Sequence, residues 1–434
     1  VNGGSITEFS VAGVSSDLWV WDVSDPVQVR RVAGQRTGNT LQFVAETDSL
    51  RHFVVHGNSG YFSPVGLSSV GNQNLHGLGA VDYILVSRAD MLAEAQRLAQ
   101  FHRARGLGVA VVDVQHIYNE YSSGRADLAA IRNFFKHQYQ KYSGNPHQLK
   151  YVFLFGDASY DYKNRGDNPS CVIPIFESLK SGNVGNQSFC SDDFFAMFDA
   201  AEGDMLSGGN LEIGIGRAPI VNATQARQLV DKIFRYASPE SFGVWRNRIS
   251  FVADDMDAVW ENGFMINSEA YATYIDTIAP QFRFNKIYSD AYIEESTIAG
   301  QRYPQVQQAI NESVQDGALI TNYIGHGGEL GWSGERVLEV SDIQSWSNHN
   351  ALTTFLTVTC EFTRVDDPER ISAGEYCLLN PDGGAIALFS TTRVISAGFG
   401  YLVNDSFYRN FFETFKNCPI VIFFIMYTII KIIF

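Results

Sequence analysis

The stretch Gly317–Gly328, "GALITNYIGHGG", decides the fold reading. Its first half is a short continuous apolar run, the signature of a strand buried on both faces. Its second half places His326 among glycines, where that strand must end. A second run, Thr353–Phe362 "TTFLTVTCEF", behaves in the same way and ends on Cys360, Glu361 and Phe362. In open α/β sheets, ligands bind beyond the carboxyl ends of the strands. If the two strands are neighbours, His326 and Cys360 emerge on one rim.

Outward from these strands, the alternation of apolar runs and helical spacing repeats. "VDYILVS" (81–87), "LGVAVVDV" (107–114) and "KYVFLFGD" (150–157) read as buried strands, separated by helices near 89–106 and 126–142. After a loop-rich region, 158–210, come "LEIGIGR" (211–217) and a helix at 223–237. A second round begins at "RNRISFVAD" (246–254) and includes "FRFNKIYSD" (282–290) and "GGAIALFSTTR" (383–393). The expectation is two consecutive α/β units, 78–245 and 246–416, with mainly parallel sheets flanked by helices.

Residues 1–77 differ. "LWVWDV", "VQVRRV", "LQFVAE" and "HFVVHG" alternate between turn residues, as in a β-rich module. "SSVGNQNLHGLGA" (68–80) reads as a linker or a surface-hugging loop. The opening "VNGGSITEFSVAGV" already has strand character, so the chain is expected to begin inside a longer protein. From Cys418 the sequence becomes "CPIVIFFIMYTIIKIIF", about 16 apolar residues against the roughly 20 of a spanning helix. A bilayer anchor and an out-of-frame end both fit this tail (417–434), and the residue usage favours the second.

Composition bounds the function. The 434 residues are 45% hydrophobic and 18% charged, with a diffuse net charge of -15. Such a chain folds around real cores and lacks the clustered Lys and Arg of a nucleic-acid footprint. The five cysteines show no CxxC pair, which argues against a zinc ribbon or a thioredoxin-type motif. Cys171 and Cys190 flank a polar loop, and both pairing and reduced thiols fit them.

A thiol and an imidazole at adjacent strand ends suggest nucleophilic catalysis, because histidine removes the thiol proton or pairs with the thiolate. Glycines beside His326 permit close substrate approach, and the amides of Gly327 and Cys360 are placed to face an oxyanion. Taken singly, a buried cysteine is often a small hydrophobe and a glycine-flanked histidine a turn residue. A catalytic metal is the competing chemistry: His326 and Glu329 are three apart, and Asp192, Asp193 and Glu361 offer oxygens. No HExxH or paired-histidine spacing exists. Structural calcium suits the carboxylate-rich "SDDFFAMFDAAEGD" (191–204) and "TRVDDPE" (363–369), as does a plain solvated loop.

"NYIGHGGELGW" followed by "TVTCEF" resembles the His and Cys signature of the gingipain family of cysteine peptidases, whose fold is related to caspases. "KYVFLFGDASYDY", "SDDFFAMFD" and "LEIGIGRAPI" extend the resemblance across about 81–415. It implies two caspase-like subdomains, Cys360 as nucleophile, His326 as base and Gly327 in the oxyanion loop. Glu177 in "IPIFES" is the candidate orienting carboxylate. Asp192, Asp193, Gly328 and Glu361 are assigned to the substrate pocket.

"WVWDVSDP", "GNQNLHGL" and "IYNEYSSGRADLAAIRNFFK" are similar to the sortase branch of that family, which serves the type IX secretion system of Bacteroidetes. The branch implies cleavage of C-terminal sorting domains from secreted cargo at the outer-membrane surface, beside other secretion components. It also implies a thioester intermediate, transfer to an amine of anionic lipopolysaccharide and no catalytic cofactor. The alternative is a non-catalytic scaffold of the same fold that binds cargo or secretion components.

Overall fold

The computed structural model describes residues 6–14, 16–57, 61–63, 69–179, 188–205, 209–298 and 300–417. The apolar tail and Cys418 lie outside these residues. Two compact units divide the chain, residues 1–72 and 73–434.

Among its described residues, the first unit holds six strands: β1 (Ile6–Ala12), β2 (Leu18–Asp22), β3 (Arg30–Val32), β4 (Gly34–Thr37), β5 (Thr40–Glu46) and β6 (Phe53–Gly57). They form two three-stranded antiparallel sheets, ordered β1-β5-β4 and β3-β2-β6. The alternating residues bury Val20, Leu41 and Phe43, with Phe9 and Phe53 packed about the Phe43 ring.

The second unit contains two parallel sheets. The first is built from β7 (Tyr83–Ser87), α1 (Leu92–Arg103), β8 (Val109–Asp113), α2 (Val114–Tyr121), α3 (Leu128–Lys141) and β9 (Tyr151–Phe155). Two short strands, β10 (Phe176–Glu177) and β11 (Cys190–Ser191), pair within the loop region before β12 (Gly214–Ala218) and α4 (Ala223–Tyr236). The sheet order is β12-β9-β7-β8, every pair parallel. Asp113, Asp127 and Asn222 cap the starts of α2, α3 and α4. The segment before β7 hugs this surface: the Glu120 carboxylate accepts from Gln73 Nε2, Leu75 N and His76 N.

The next sheet begins with β13 (Arg248–Ala253), α5 (Asn262–Ile278) and β14 (Arg283–Tyr288). A small hairpin, β15 (Glu295–Thr297) with β16 (Gly300–Arg302), leads to α6 (Pro304–Asp316) and β17 (Ile320–Ile324). Three short strands, β18 (Gly327–Gly328), β19 (Gly331–Trp332) and β20 (Leu338–Glu339), follow. Then come α7 (Val340–Ser345), β21 (Thr353–Val358), α8 (Ala373–Leu379), β22 (Ala385–Ser390) and α9 (Ala397–Asn417). The order is β14-β13-β17-β21-β22, again all parallel.

Apolar cores cover both faces of this second sheet. Ile249, Phe251, Ile320 and Leu356 pack with Phe407 and Tyr408 of α9. Val252, Tyr323 and Phe355 pack on the other face with Trp332 and Phe362. Successive residues of one strand therefore enter different cores, which is why "GALITNYI" and "TTFLTV" read as unbroken apolar runs. Each large apolar side chain buried this way contributes on the order of 1.5–3 kcal/mol. No helix among the described residues is long and apolar enough to cross a membrane.

Candidate active site

Parallel pairing of β17 with β21 brings Ile324 opposite Val358. His326 and Cys360 each lie two residues further on, at matched height beyond neighbouring strands. Thr359 is wedged between the two loops: its Oγ1 donates to the Gly325 carbonyl at 2.7 Å. A β-carbon on Gly327 would sit 2.7 Å from that same Oγ1 and 3.1 Å from the Gly331 carbonyl. Glycine is needed there because the histidine loop crosses the cysteine strand without room for a side chain. Gly325 is equally confined, against the Asp254 β-carbon and the Tyr323 ring.

The His326 backbone is held at both ends. Its N–H donates to Asp254 Oδ2 at 2.8 Å, while its carbonyl accepts from Tyr323 Oη at 2.6 Å and from Ser333 N at 2.8 Å. Tyr323 is itself stacked on Trp332, ring centroids 4.3 Å apart. The hairpin that carries the histidine is thus fixed by buried aromatic packing from below. Deeper still, Asn322 Nδ2 donates to the Leu356 carbonyl and to Asn404 Oδ1, tying β17 to β21 and α9.

The imidazole meets a carboxylate absent from the sequence expectations. His326 Nε2 lies 2.8 Å from Glu261 Oε1. Glu261 stands at the entry to α5 and is buried, and its other oxygen accepts from the Ala258 N–H. Burial pushes the Glu261 carboxyl upward, but the bonds from His326 and Ala258 outweigh it and hold the group below its usual value. The edges of Trp260 and Phe264 confine the ring, at centroid distances of 6.0 and 5.6 Å. With Nε2 committed to Glu261, Nδ1 is the nitrogen that remains for a thiol or a substrate.

Cys360 is half-buried, its Sγ 3.7 Å from the Ile395 carbonyl. Glu361 follows with φ +54°, a left-handed conformation that a side chain adopts only under constraint, and its N–H donates to the Arg393 carbonyl. The chain therefore turns sharply just past the thiol. Gly328, in β18, has open space where a side chain would stand.

Glu177 is placed elsewhere. It sits 3.6 Å from Arg393 Nη2, and Arg393 in turn makes a two-pronged pair with Asp366. The carboxylate on His326 is Glu261, so the orienting role expected of Glu177 has a different occupant. Asp192 makes a two-pronged pair with the buried Arg217, at 2.6 and 2.9 Å. Arg217 also donates to the carbonyls of Gly156, Ile173 and Pro174, and so clamps the loops above the first sheet. Burial and the Asp192 charge push Asp193 up to about 6. Both aspartates line a cavity of about 760 Å³ whose far wall includes Thr392, Arg393 and Ile395, the last in contact with Cys360.

Cys171 and Cys190 are buried, free thiols. Burial pushes Cys171 up to about 12, and raises Cys190 well above its ordinary value with the Asp366 charge adding to it. Neither has the character of a nucleophile. In the acidic loop expected to suit calcium, Asp199 and Glu202 bring carboxylate oxygens within 4.8 Å of each other and of Glu212. Glu202 accepts from Asp199 N and Asn210 N, Glu212 from Phe198 N, and Asp366 faces Arg393.

The family model of peptidase family C25 matches residues 76–422. The chain belongs to peptidase family C25, a family of cysteine peptidases. Among solved structures, dimeric latent PorU from Porphyromonas gingivalis is similar, with a TM-score of 0.50 and 30% identity over 56% of this chain. This C25 chain spans 24% of that protein's length. The Arg-specific cysteine proteinase gingipain R shares the fold, with a TM-score of 0.58 and 17% identity over 78% of this chain and 68% of that one. A complex of the pro- and mature domains of the same proteinase, RgpB of Porphyromonas gingivalis, gives a TM-score of 0.56 and 17% identity, over 75% of this chain and 67% of that one. No curated protein matches.

Within this C25 fold, the sequence reading missed Glu261 and Asp254. Asp254 was open to discovery by the criterion that found His326, since it directly follows the buried strand "RISFVA". Glu261 carried no such signal. It approaches His326 only because a short helical turn carries the chain across the rim before α5 begins.

Proposed function

We propose that the chain carries the catalytic part of a type IX secretion sortase, acting as a cysteine peptidase through Cys360, His326 and Glu261. The observation that supports this reading best is the shared register of β17 and β21 with Thr359 locked between Gly325 and Gly327. That arrangement brings a thiol and a carboxylate-backed imidazole to one rim.

The Cys360 thiolate attacks the scissile carbonyl, and His326 protonates the leaving amine. Glu261 fixes the ring and stabilises the imidazolium in between. The amides of Gly327 and Cys360 face the oxyanion, each contributing on the order of 3 kcal/mol to the transition state. The acyl group is then held as a thioester. Attack by an amine of anionic lipopolysaccharide completes a transfer, and attack by water completes a hydrolysis. No cofactor takes part in either route. The substrates are secreted proteins bearing C-terminal sorting domains, met at the outer-membrane surface beside other secretion components.

Mass spectrometry of a model cargo, incubated with the protein and a primary amine, tests the proposal by reporting cleavage site and acceptor together. The expected product carries the amine at its new carboxyl terminus, and Cys360→Ala lowers its formation at least about 10³-fold while the fold persists. A hydrolysed product alone overturns the transferase step. Intact cargo with wild-type and variant alike overturns the peptidase reading in favour of a binding scaffold.

A further inference from the structure

The carboxyl ends of β13, β17, β21 and β22 form one row, because these strands are neighbours in that order and all parallel. Each brings a different part of the site to the rim. Beyond β22 stand Thr392, Arg393 and Ile395, which line the large cavity. Cys360 follows β21, and His326 follows β17. The loop beyond β13 brings Met256, Val259 and Trp260 to the end of the row, just before Glu261 meets the imidazole.

These three side chains are apolar and open to solvent, Val259 at 89% and Trp260 at 57% exposure. Single exposed apolar residues are ordinary on a protein surface, but three within residues 256–260 beside His326 form a patch. Trp260 is also braced. Its ring meets that of His326 edge-on at 6.0 Å and that of Phe264 at 5.7 Å. An indole held on two sides loses little conformational freedom when something covers its open face. The loop is tied down as well, since the Glu261 carboxylate accepts the Ala258 N–H and contacts His326 Nε2. The patch is thus exposed and yet fixed in place, as a preformed subsite must be.

The row decides which part of a substrate reaches this patch. In the reaction proposed above, the scissile carbonyl lies at Cys360 and its nitrogen departs toward His326. The acyl side of the peptide then extends toward β22 and the cavity. The leaving side continues past the imidazole toward the end of β13. We propose that Val259 and Trp260 bind an apolar side chain on the residue directly after the scissile bond, so that the loop beyond β13 selects which peptide bonds are cut. The assignment rests on the peptidase reading and adds to it a preference on the discarded side of the substrate.

Two peptides spanning a cargo cleavage site, identical except for leucine or serine directly after the scissile bond, provide the test. The wild type is expected to favour the leucine peptide by at least about tenfold in kcat/KM. Trp260→Ala and Val259→Ser should each reduce that preference, to within about threefold for Trp260→Ala. The ratio separates recognition from damage to the imidazole, because a displaced His326 slows both peptides alike. Val259→Ser decides if Trp260→Ala does not fold, since Val259 is the more exposed of the two. A wild type without a preference for leucine, or variants that keep the preference, overturn the assignment and leave the peptidase reading in place. A wild type that cleaves neither peptide overturns the peptidase reading, and the assignment with it.

Discussion

The two parallel sheets of the second unit share one strand order and differ in what stands at their rims. Counted from its own first strand, each runs second, first, third, fourth, and the later sheet adds a fifth. Above the first sheet the loops close on themselves. Ser87 Oγ donates to the Phe155 carbonyl, the Asp157 carbonyl accepts from Val172 N and Ile173 N, and Arg217 gathers three further carbonyls. Above the second sheet the corresponding positions keep reactive atoms available: half of the His326 side chain is exposed, and Cys360 is only half-buried. Topology supplies a rim twice; side chains make one of them a site.

Removing the carboxylate behind His326 tests that contrast most severely. Glu261→Gln is expected to lower kcat by about 10² to 10⁴-fold, because the amide no longer selects the tautomer or stabilises the imidazolium. Glu177→Gln serves as its counterpart from the loops above the first sheet. With one oxygen 3.6 Å from Arg393, and with the His326 ring on Glu261, it should leave kcat within about threefold and lower the melting temperature instead. Measuring kcat and melting temperature for both variants decides which carboxylate orients the ring, and a large kcat loss for Glu177→Gln would reverse the assignment.

A smaller effect separates two adjacent glycines of the His326 loop. In Gly327→Ala the new methyl lies 2.7 Å from Thr359 Oγ1 and 2.8 Å from its Cγ2, so the histidine loop and the cysteine strand must move apart. Such displacement of reacting groups is expected to lower kcat by about 10 to 10²-fold. Gly328→Ala meets nothing within 4 Å and should keep kcat near wild type. Equal losses in the two variants would show that flexibility of the loop, rather than its contact with Thr359, governs the rate.

How far the sequence could lead follows from which features are local. Apolar runs with no alternation announced strands covered on both faces, and the glycines around His326 announced a loop without room for side chains. Partners that meet through tertiary structure left almost no trace. Glu261 reaches His326 from the start of a helix, and Glu177 lies 3.6 Å from Arg393, more than 200 residues further along the chain. Asp192, assigned by resemblance to the substrate pocket, holds a buried arginine and also lines the large cavity. Charge patterns in a loop do not reveal whether a buried partner already neutralises them.

The contact between the two sheets themselves yields the smallest and most pH-dependent expectation. Lys232 of α4 is buried with its Nζ within hydrogen-bond reach of the carbonyls of Cys377, Leu378 and Asn380 at the end of α8, at 3.2, 3.0 and 2.9 Å; the ammonium can serve all three at once and the neutral amine two. It thus satisfies the free carbonyls of a helix terminus belonging to the other sheet. Burial lowers its pKa from 10.5 to about 7. Between these values the unfolded chain carries a proton that the folded chain lacks, so this group adds stability as pH rises from about 7 toward 10.5. Below pH 7 the folded protein bears the full penalty of a buried charge. Lys232→Met removes both the titration and the carbonyl bonds. It is expected to destabilise by about 1–3 kcal/mol at pH 9 and by less at pH 6. Denaturant melts of both proteins at the two pH values cancel the titrations they share, including that of Glu375, which is raised to about 8 by burial. A gap that stays the same at the two pH values would mean that the three carbonyls hold Lys232 as an ammonium. The two sheets would then be joined by a buried charge rather than by a neutral amine.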